Sequence, residues 1–171
     1  MTYKLAQGES SRHRVAVWRE LRKAGAVPLQ QATWIIPTGP GFDDALERAL
    51  ALVERAGGTA VVLDVSPTST GIGTVEELFT AEREEEWREF SSECDKFEAE
   101  VANEIAKEKF TLAELDEEEQ NLDRLRRWFR ELRARDLFGA PSAPAAERRL
   151  KECTESLEDF AQRVFDARER Q

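Results

Sequence analysis

From Val75 onward, apolar residues of the 171-residue chain recur every three or four positions, the spacing of one face of an α-helix. Three such stripes follow one another, with breaks near residues 110–111 and 139–141. Their members are Trp87, Phe90, Cys94, Phe97, Val101 and Ile105, then Leu122, Leu125, Phe129 and Leu132, then Ala146, Leu150, Cys153, Leu157, Phe160 and Val164. Because short breaks favour antiparallel neighbours, the pattern predicts a three-helix, mostly antiparallel region over residues 75–171.

The first part of the chain alternates short β-prone segments with two amphipathic helices. Strands are predicted at residues 3–6, 26–30, 33–37 and 59–65, and helices at residues 10–24, capped by Ser10 or Ser11, and 42–56. Pro28 lacks an N–H, which places its strand at a sheet edge, and the apolar run 59–65 is expected to be a buried strand. The order βαββαβ predicts a ferredoxin-like unit at residues 1–66, followed by a linker at 67–74, in an α+β protein.

The first predicted helix concentrates positive charge in an acidic protein. The net charge is −10, yet residues 1–37 hold six Lys and Arg against two Glu, a balance of +4 that leaves −14 for the rest. At ~100° per residue, Arg12, Arg19 and Lys23 share one face over ~17 Å, a span that suits a row of phosphates. The residues predicted to contact a nucleic acid are Arg12, Arg14, Arg19, Arg22 and Lys23.

Two other interpretations of this helix remain open. Its cations can pair with the many carboxylates of the same chain, or they can simply be solvated on an exposed helix face; in either case the helix has no polyanion partner. Arg14 lies beside the apolar arc formed by Val15, Val17, Trp18 and Leu21, so it is expected to pair with a carboxylate or to face a ligand. Trp18, Trp34, Trp87 and Trp128 could serve as stacking platforms for bases, but each lies in an apolar stripe or strand, so all four are expected to pack in the core.

Residue types exclude several kinds of chemistry. His13 is the only histidine, so sites that need two imidazoles are impossible, and Gly71-Ile72-Gly73 lacks the rest of a phosphate loop. We therefore predict no catalytic residues, no metal and no cofactor. The acidic runs 82–86 and 114–119 are expected to be solvated helix faces. Cys94 and Cys153 lie in apolar stripes and are expected to pack inward, although an effector or redox role for this pair stays open.

No segment approaches the ~18 consecutive apolar residues that a membrane span needs, and the first residues lack the apolar run of a secretory signal. With only two cysteines, no disulfide framework is predicted. We expect a cytoplasmic protein without a membrane partner.

The segment RHRVAVWRELRKAGAVPLQQATWIIP, residues 12–37, resembles the N-terminal domain of the ChrB family of chromate-resistance operon regulators. The positions that carry the resemblance are Arg12, Arg14, Val15, Trp18, Arg19, Leu21, Gly25, Ala26, Leu29, Gln30, Trp34, Ile35, Ile36 and Pro37. RARDLFGAP, residues 133–141, and the flanking helical segments are also similar to that family. The resemblance implies a chromate-responsive regulator, not an enzyme, that binds promoter DNA and has chromate as a possible effector.

A looser similarity links the first unit to phenylacetate-type repressors and to CRISPR adaptation endonucleases. The endonucleases need an aspartate just after the first strand, where this chain has Leu5, Ala6 and Gln7, so nuclease activity is not expected. We expect a homodimer, since two-fold symmetry doubles the row of cations. The alternatives are a protein-interaction module without DNA binding, and an oxyanion sensor that holds chromate between Arg14, Arg19 or Arg22 and a helix terminus.

Overall fold

The structure of the protein, a computed structural model, describes residues 1–6, 8 and 11–169. Its strands are β1 (Thr2–Lys4), β2 (Val27–Gln30), β3 (Thr33–Ile35) and β4 (Thr59–Val61). Its helices are α1 (Ser11–Lys23), α2 (Phe42–Arg55), α3 (Gly71–Ala106), α4 (Leu112–Arg135) and α5 (Ala143–Glu169). The chain is thus a mostly helical α+β protein. Ser10, one of the two predicted caps of the first helix, lies outside the described residues.

The chain divides into two units, Met1–Phe79 and Thr80–Gln171. The first holds a four-stranded sheet in the order β2-β3-β1-β4, in which every neighbouring pair is antiparallel. Thr2 stands opposite Thr33 on one side and opposite Val61 on the other, so β1 is a central strand. The position of β2 at an edge, with Pro28 exposed, confirms the prediction made from the missing N–H.

Helices α1 and α2 bury narrow stripes of small and branched residues in the core of this unit. The core residues are Val17, Leu21, Ala26, Trp34, Ala49 and Val53. Gly25 adopts a φ of +79° and its N–H donates to the carbonyl of Arg22, which ends α1 at the predicted place. At Gly58, a Cβ would lie 2.5 Å from the carbonyl oxygen of Lys4, so only glycine lets the chain pass this close to β1.

Two predictions for this unit are wrong. The run 59–65 is a strand only as far as Val61, and it is an exposed edge strand: Leu63 and Val65 are 67% and 77% exposed. An apolar run alone does not distinguish a buried strand from an exposed one. Trp18 is also exposed rather than in the core, because only Val17 and Leu21 of α1 are buried in the core of this unit, and Trp18 lies ~60° around the helix from Leu21.

The second unit is built from the three long helices, whose stripes share one core. Trp87 and Phe90 of α3 pack edge to face at 6.0 Å, and Phe90 packs against Trp128 of α4 at 5.4 Å. Phe160 and Val164 of α5 are fully buried in the same cluster. The breaks at 107–111 and 136–142 include both predicted positions, and Thr111 caps α4 by accepting the Glu114 N–H. Helix α3 begins at Gly71, inside the predicted linker.

Candidate nucleic-acid interface

Four cations of α1 project from the protein. Arg12, Arg14, Arg19 and Lys23 are all exposed, and we call Arg12, Arg19 and Lys23 the cation row. None of these four lies within 4.0 Å of a carboxylate in the part of the chain that the structure describes. Glu20, the only acid of α1, pairs instead with Arg48 of α2 at 2.5 Å. The row is therefore not neutralised by the described acidic residues.

Trp18 lies on the exposed side of α1 between two arginines. The spacing of Arg14, Trp18 and Arg22 at i, i+4 and i+8 puts them on one ridge of the helix. Trp18 is 47% exposed, and the guanidinium carbon of Arg22 lies 5.5 Å from its ring centroid, in cation–π geometry. The prediction that Trp18 packs in the core is therefore wrong, and its aromatic ring lies at the surface among cations.

A cleft beside this ridge, which we call the Trp18 cleft, has a volume of ≈ 380 Å³. Its lining includes Arg14 and Trp18 of α1, Pro28 and Gln30 of β2, and Trp34 of β3. The indole N–H of Trp34 is buried and has no hydrogen-bond partner among the described residues. The cleft therefore joins apolar walls to a cation and an amide.

Tyr3 also lines the Trp18 cleft. Burial raises the pKa of its phenol, against a smaller opposing effect of the Arg14 charge. The phenol is therefore neutral at physiological pH and adds no negative charge to the cleft. Arg14 pairs with no carboxylate among the described residues and is exposed in the wall of this cleft, which leaves it available to a ligand.

The remaining predicted site residues, Cys94 and Cys153, lie in the core of the second unit. Both are fully buried and unoxidised, and Cys153 Sγ donates to the carbonyl oxygen of Cys94 at 3.6 Å. A separate side-chain hydrogen bond between the two thiols, and then burial, raise the pKa of Cys94. The inward packing predicted from the apolar stripes is confirmed, and the two thiols belong to a different unit from the cations of α1.

Sequence reasoning missed the charged residues buried in the second unit. Arg83 and Glu86, within a run predicted to be a solvated face, are 1% and 6% exposed, and Glu118 of the other acidic run is 2% exposed. Arg83 precedes Trp87 by four positions and Glu118 precedes Leu122 by four, so both continue apolar stripes. A charged residue at a position that continues an apolar stripe is therefore the sequence signal for a buried charge.

In residues 1–6, 8 and 11–169, no three His, Cys, Asp or Glu side chains are placed to hold a metal ion. Nor does that part of the chain contain a helix of the length and apolarity needed to cross a membrane.

The fold and the exposed residues of α1 define a class: a mostly helical α+β protein with a small antiparallel sheet and a cationic, aromatic helix face. The chain belongs to the family described as Protein ChrB, N-terminal, whose model matches residues 14–171. Membership of this family associates the protein with chromate resistance. No curated protein and no solved structure matches the chain.

Proposed function

We propose that this protein is a chromate-responsive, non-enzymatic transcriptional regulator that binds promoter DNA through α1. The observation that carries the proposal is that Arg12, Arg14, Arg19 and Lys23 are exposed without a carboxylate partner in the described part of the chain. An acidic protein whose described carboxylates leave these cations exposed has a surface suited to a polyanion.

The geometry of the row fits phosphates better than a single small anion. Arg12 and Lys23 are eleven residues apart on one helix, which is ~17 Å along its axis. This length spans several phosphates of one strand, whereas a tetrahedral anion contacts cations only a few ångströms apart. Phosphate contacts of this kind position a protein on DNA and supply most of its affinity.

A homodimer is part of the proposal, because two rows related by two-fold symmetry match a palindromic site. A ferredoxin-like first unit is also part of the proposal. The strand order β2-β3-β1-β4 and the antiparallel pairing of β1 with β3 support it. We further propose a mostly antiparallel arrangement of the three long helices and a cytoplasmic location, as expected for a regulator of transcription.

The test compares wild type with Arg12→Glu/Arg19→Glu by fluorescence anisotropy on the promoter of the chain's own operon. We expect an affinity loss of about tenfold or more, because each reversal replaces a phosphate contact by repulsion. The matched control is Arg133→Glu/Arg148→Glu, which changes the net charge equally at exposed cations of α4 and α5. Equal affinity of both variants would remove α1 from the DNA interface.

The effector role of chromate is tested on the same complex. We expect chromate, and not sulfate at the same concentration and ionic strength, to weaken promoter binding. No change with either anion would contradict the chromate response while leaving DNA binding by α1 intact. If calorimetry shows that sulfate binds as well as chromate, the site accepts oxyanions in general and is not selective for chromate.

A further inference from the structure

We propose that the Trp18 cleft binds one unpaired base of a nucleic-acid strand whose phosphates lie along the cation row. This inference rests on the proposed function and adds the kind of nucleotide that the interface accepts. It concerns Trp18 and the residues around it, which phosphate binding by the row does not use.

The exposed indole supplies a stacking surface. Trp18 lines the cleft and Arg22 does not, although Arg22 lies over the same ring. The indole therefore presents to the cleft a part of its surface that Arg22 leaves uncovered. Successive bases stack on such aromatic side chains in proteins that bind single strands, and a nearby arginine strengthens the contact.

The other walls of the cleft suit a nucleobase. Pro28 and Trp34 add apolar surface, while Gln30 and Gln31 carry amides that both donate and accept hydrogen bonds. The volume of ≈ 380 Å³ is in the range of small-ligand sites. A base needs this combination, because its faces are apolar and its edges carry donors and acceptors.

The positive charge near the cleft favours a base that belongs to a nucleic-acid strand. Arg14 stands in the wall of the cleft, exposed and without a carboxylate in the described residues, and Arg12 and Arg19 lie on the same helix. They complement the phosphates on either side of a base held in the cleft. Because both faces of a paired base are covered within the duplex stack, the base that enters must be unpaired.

The test uses three fluorescent probes of one sequence: a duplex, the same duplex with a three-base bulge, and the single strand. Wild type is expected to bind the bulged and single-stranded probes about fivefold or more tightly than the duplex, the increment that one stacked base supplies. Trp18→Ala is expected to lose this preference and to keep its duplex affinity within about twofold. Trp18→Phe, which keeps an aromatic ring, is expected to retain part of it.

Two outcomes overturn the inference: equal affinity of wild type for all three probes, or an undiminished preference in Trp18→Ala. The Arg12→Glu/Arg19→Glu variant separates this failure from failure of the proposed function. If it weakens binding to every probe while no preference exists, only the base site is wrong. If it weakens none, or if wild type binds no probe, the DNA interface itself is wrong and the base site falls with it.

Discussion

Arg135 and Glu86 are joined by two parallel hydrogen bonds, Nε to Oε2 and Nη2 to Oε1, each 3.2 Å long. Arg83 Nε lies 2.7 Å from the same Oε2, and its side chain is almost fully buried. Burial lowers the pKa of Arg83, and the charge of Glu86 opposes that shift. One carboxylate thus contacts two guanidinium groups where α3 meets the end of α4.

We expect Glu86→Gln to lower the free energy of unfolding by about 3–5 kcal/mol, because it leaves buried positive charge without its counter-ion. Urea denaturation measures this. The control is Glu85→Gln, whose partner Arg88 is exposed, as is Glu85 itself, so its effect should stay below about 1 kcal/mol. Equal destabilisation in the two variants would show that the buried cluster does not stabilise this unit.

Glu118 gives a prediction for pH. Burial raises its pKa, the charges of Glu100, Glu117 and Glu104 add to the shift, and the Asn121 amide that donates to Oε2 at 3.2 Å opposes it. The folded protein therefore holds this proton more readily than the unfolded chain. Ionised Glu118 costs stability at neutral pH, and that cost disappears as the pH falls through the raised pKa.

We therefore expect Glu118→Gln to raise the free energy of unfolding at pH 7, since a Gln carbonyl still accepts from Asn121. The gain should vanish below about pH 4, where Glu118 is protonated in both states. Thermal denaturation across this range measures it, with the exposed Glu119→Gln as the control. Lower stability at pH 7, or a gain that does not depend on pH, would contradict the assigned cause.

The thiols of Cys94 and Cys153 should be inert in the folded protein. Both are fully buried, so a reagent cannot reach either thiol, and the raised pKa of Cys94 further limits its own thiolate. An aromatic disulfide reagent is expected to label neither thiol in native buffer within minutes and both at once in roughly 6 M urea, a denaturing concentration for a small domain. Rapid labelling in native buffer would favour a redox role over packing.

Trp18 and Trp34 should respond differently to truncation. Trp18 is about half exposed, so Trp18→Ala is expected to change the free energy of unfolding by less than about 1 kcal/mol, as measured by urea denaturation. Trp34 is 5% exposed and belongs to the core of its unit, so Trp34→Ala should cost about 3–5 kcal/mol. A large destabilisation by Trp18→Ala would mean that its ring is a core residue and not a stacking surface.

The elements of the fold are visible in the sequence where periodicity is long and strong. The stripe from Trp87 to Ile105 and the breaks before α4 and α5 are local patterns, and Pro28 marks an edge strand through its missing N–H. Local patterns do not show which apolar residues the short sheet covers, because that depends on tertiary packing. Sequence patterns therefore place Trp18 and Val65 inside, although the structure leaves both exposed.

The candidate site is predictable in part for the same reason. The exposure of Arg12, Arg19 and Lys23 follows from helical spacing, which the sequence contains. The Trp18 cleft cannot be predicted from helical spacing, because its walls include Tyr3, Pro28 and Trp34, which strand pairing brings to α1. The buried cluster around Glu86 is equally hidden, since its partner Arg135 lies 49 positions further along the chain.

The central claim is that cations of α1 bind phosphates, and the salt dependence of promoter affinity tests it most directly. For a homodimer with three contacts per subunit, we predict a slope of about −5 in a plot of log affinity against log salt concentration. Arg12→Gln/Arg19→Gln should flatten this slope by about 1 for each phosphate contact that the substitutions remove. A slope that is the same in wild type and variant would contradict the account.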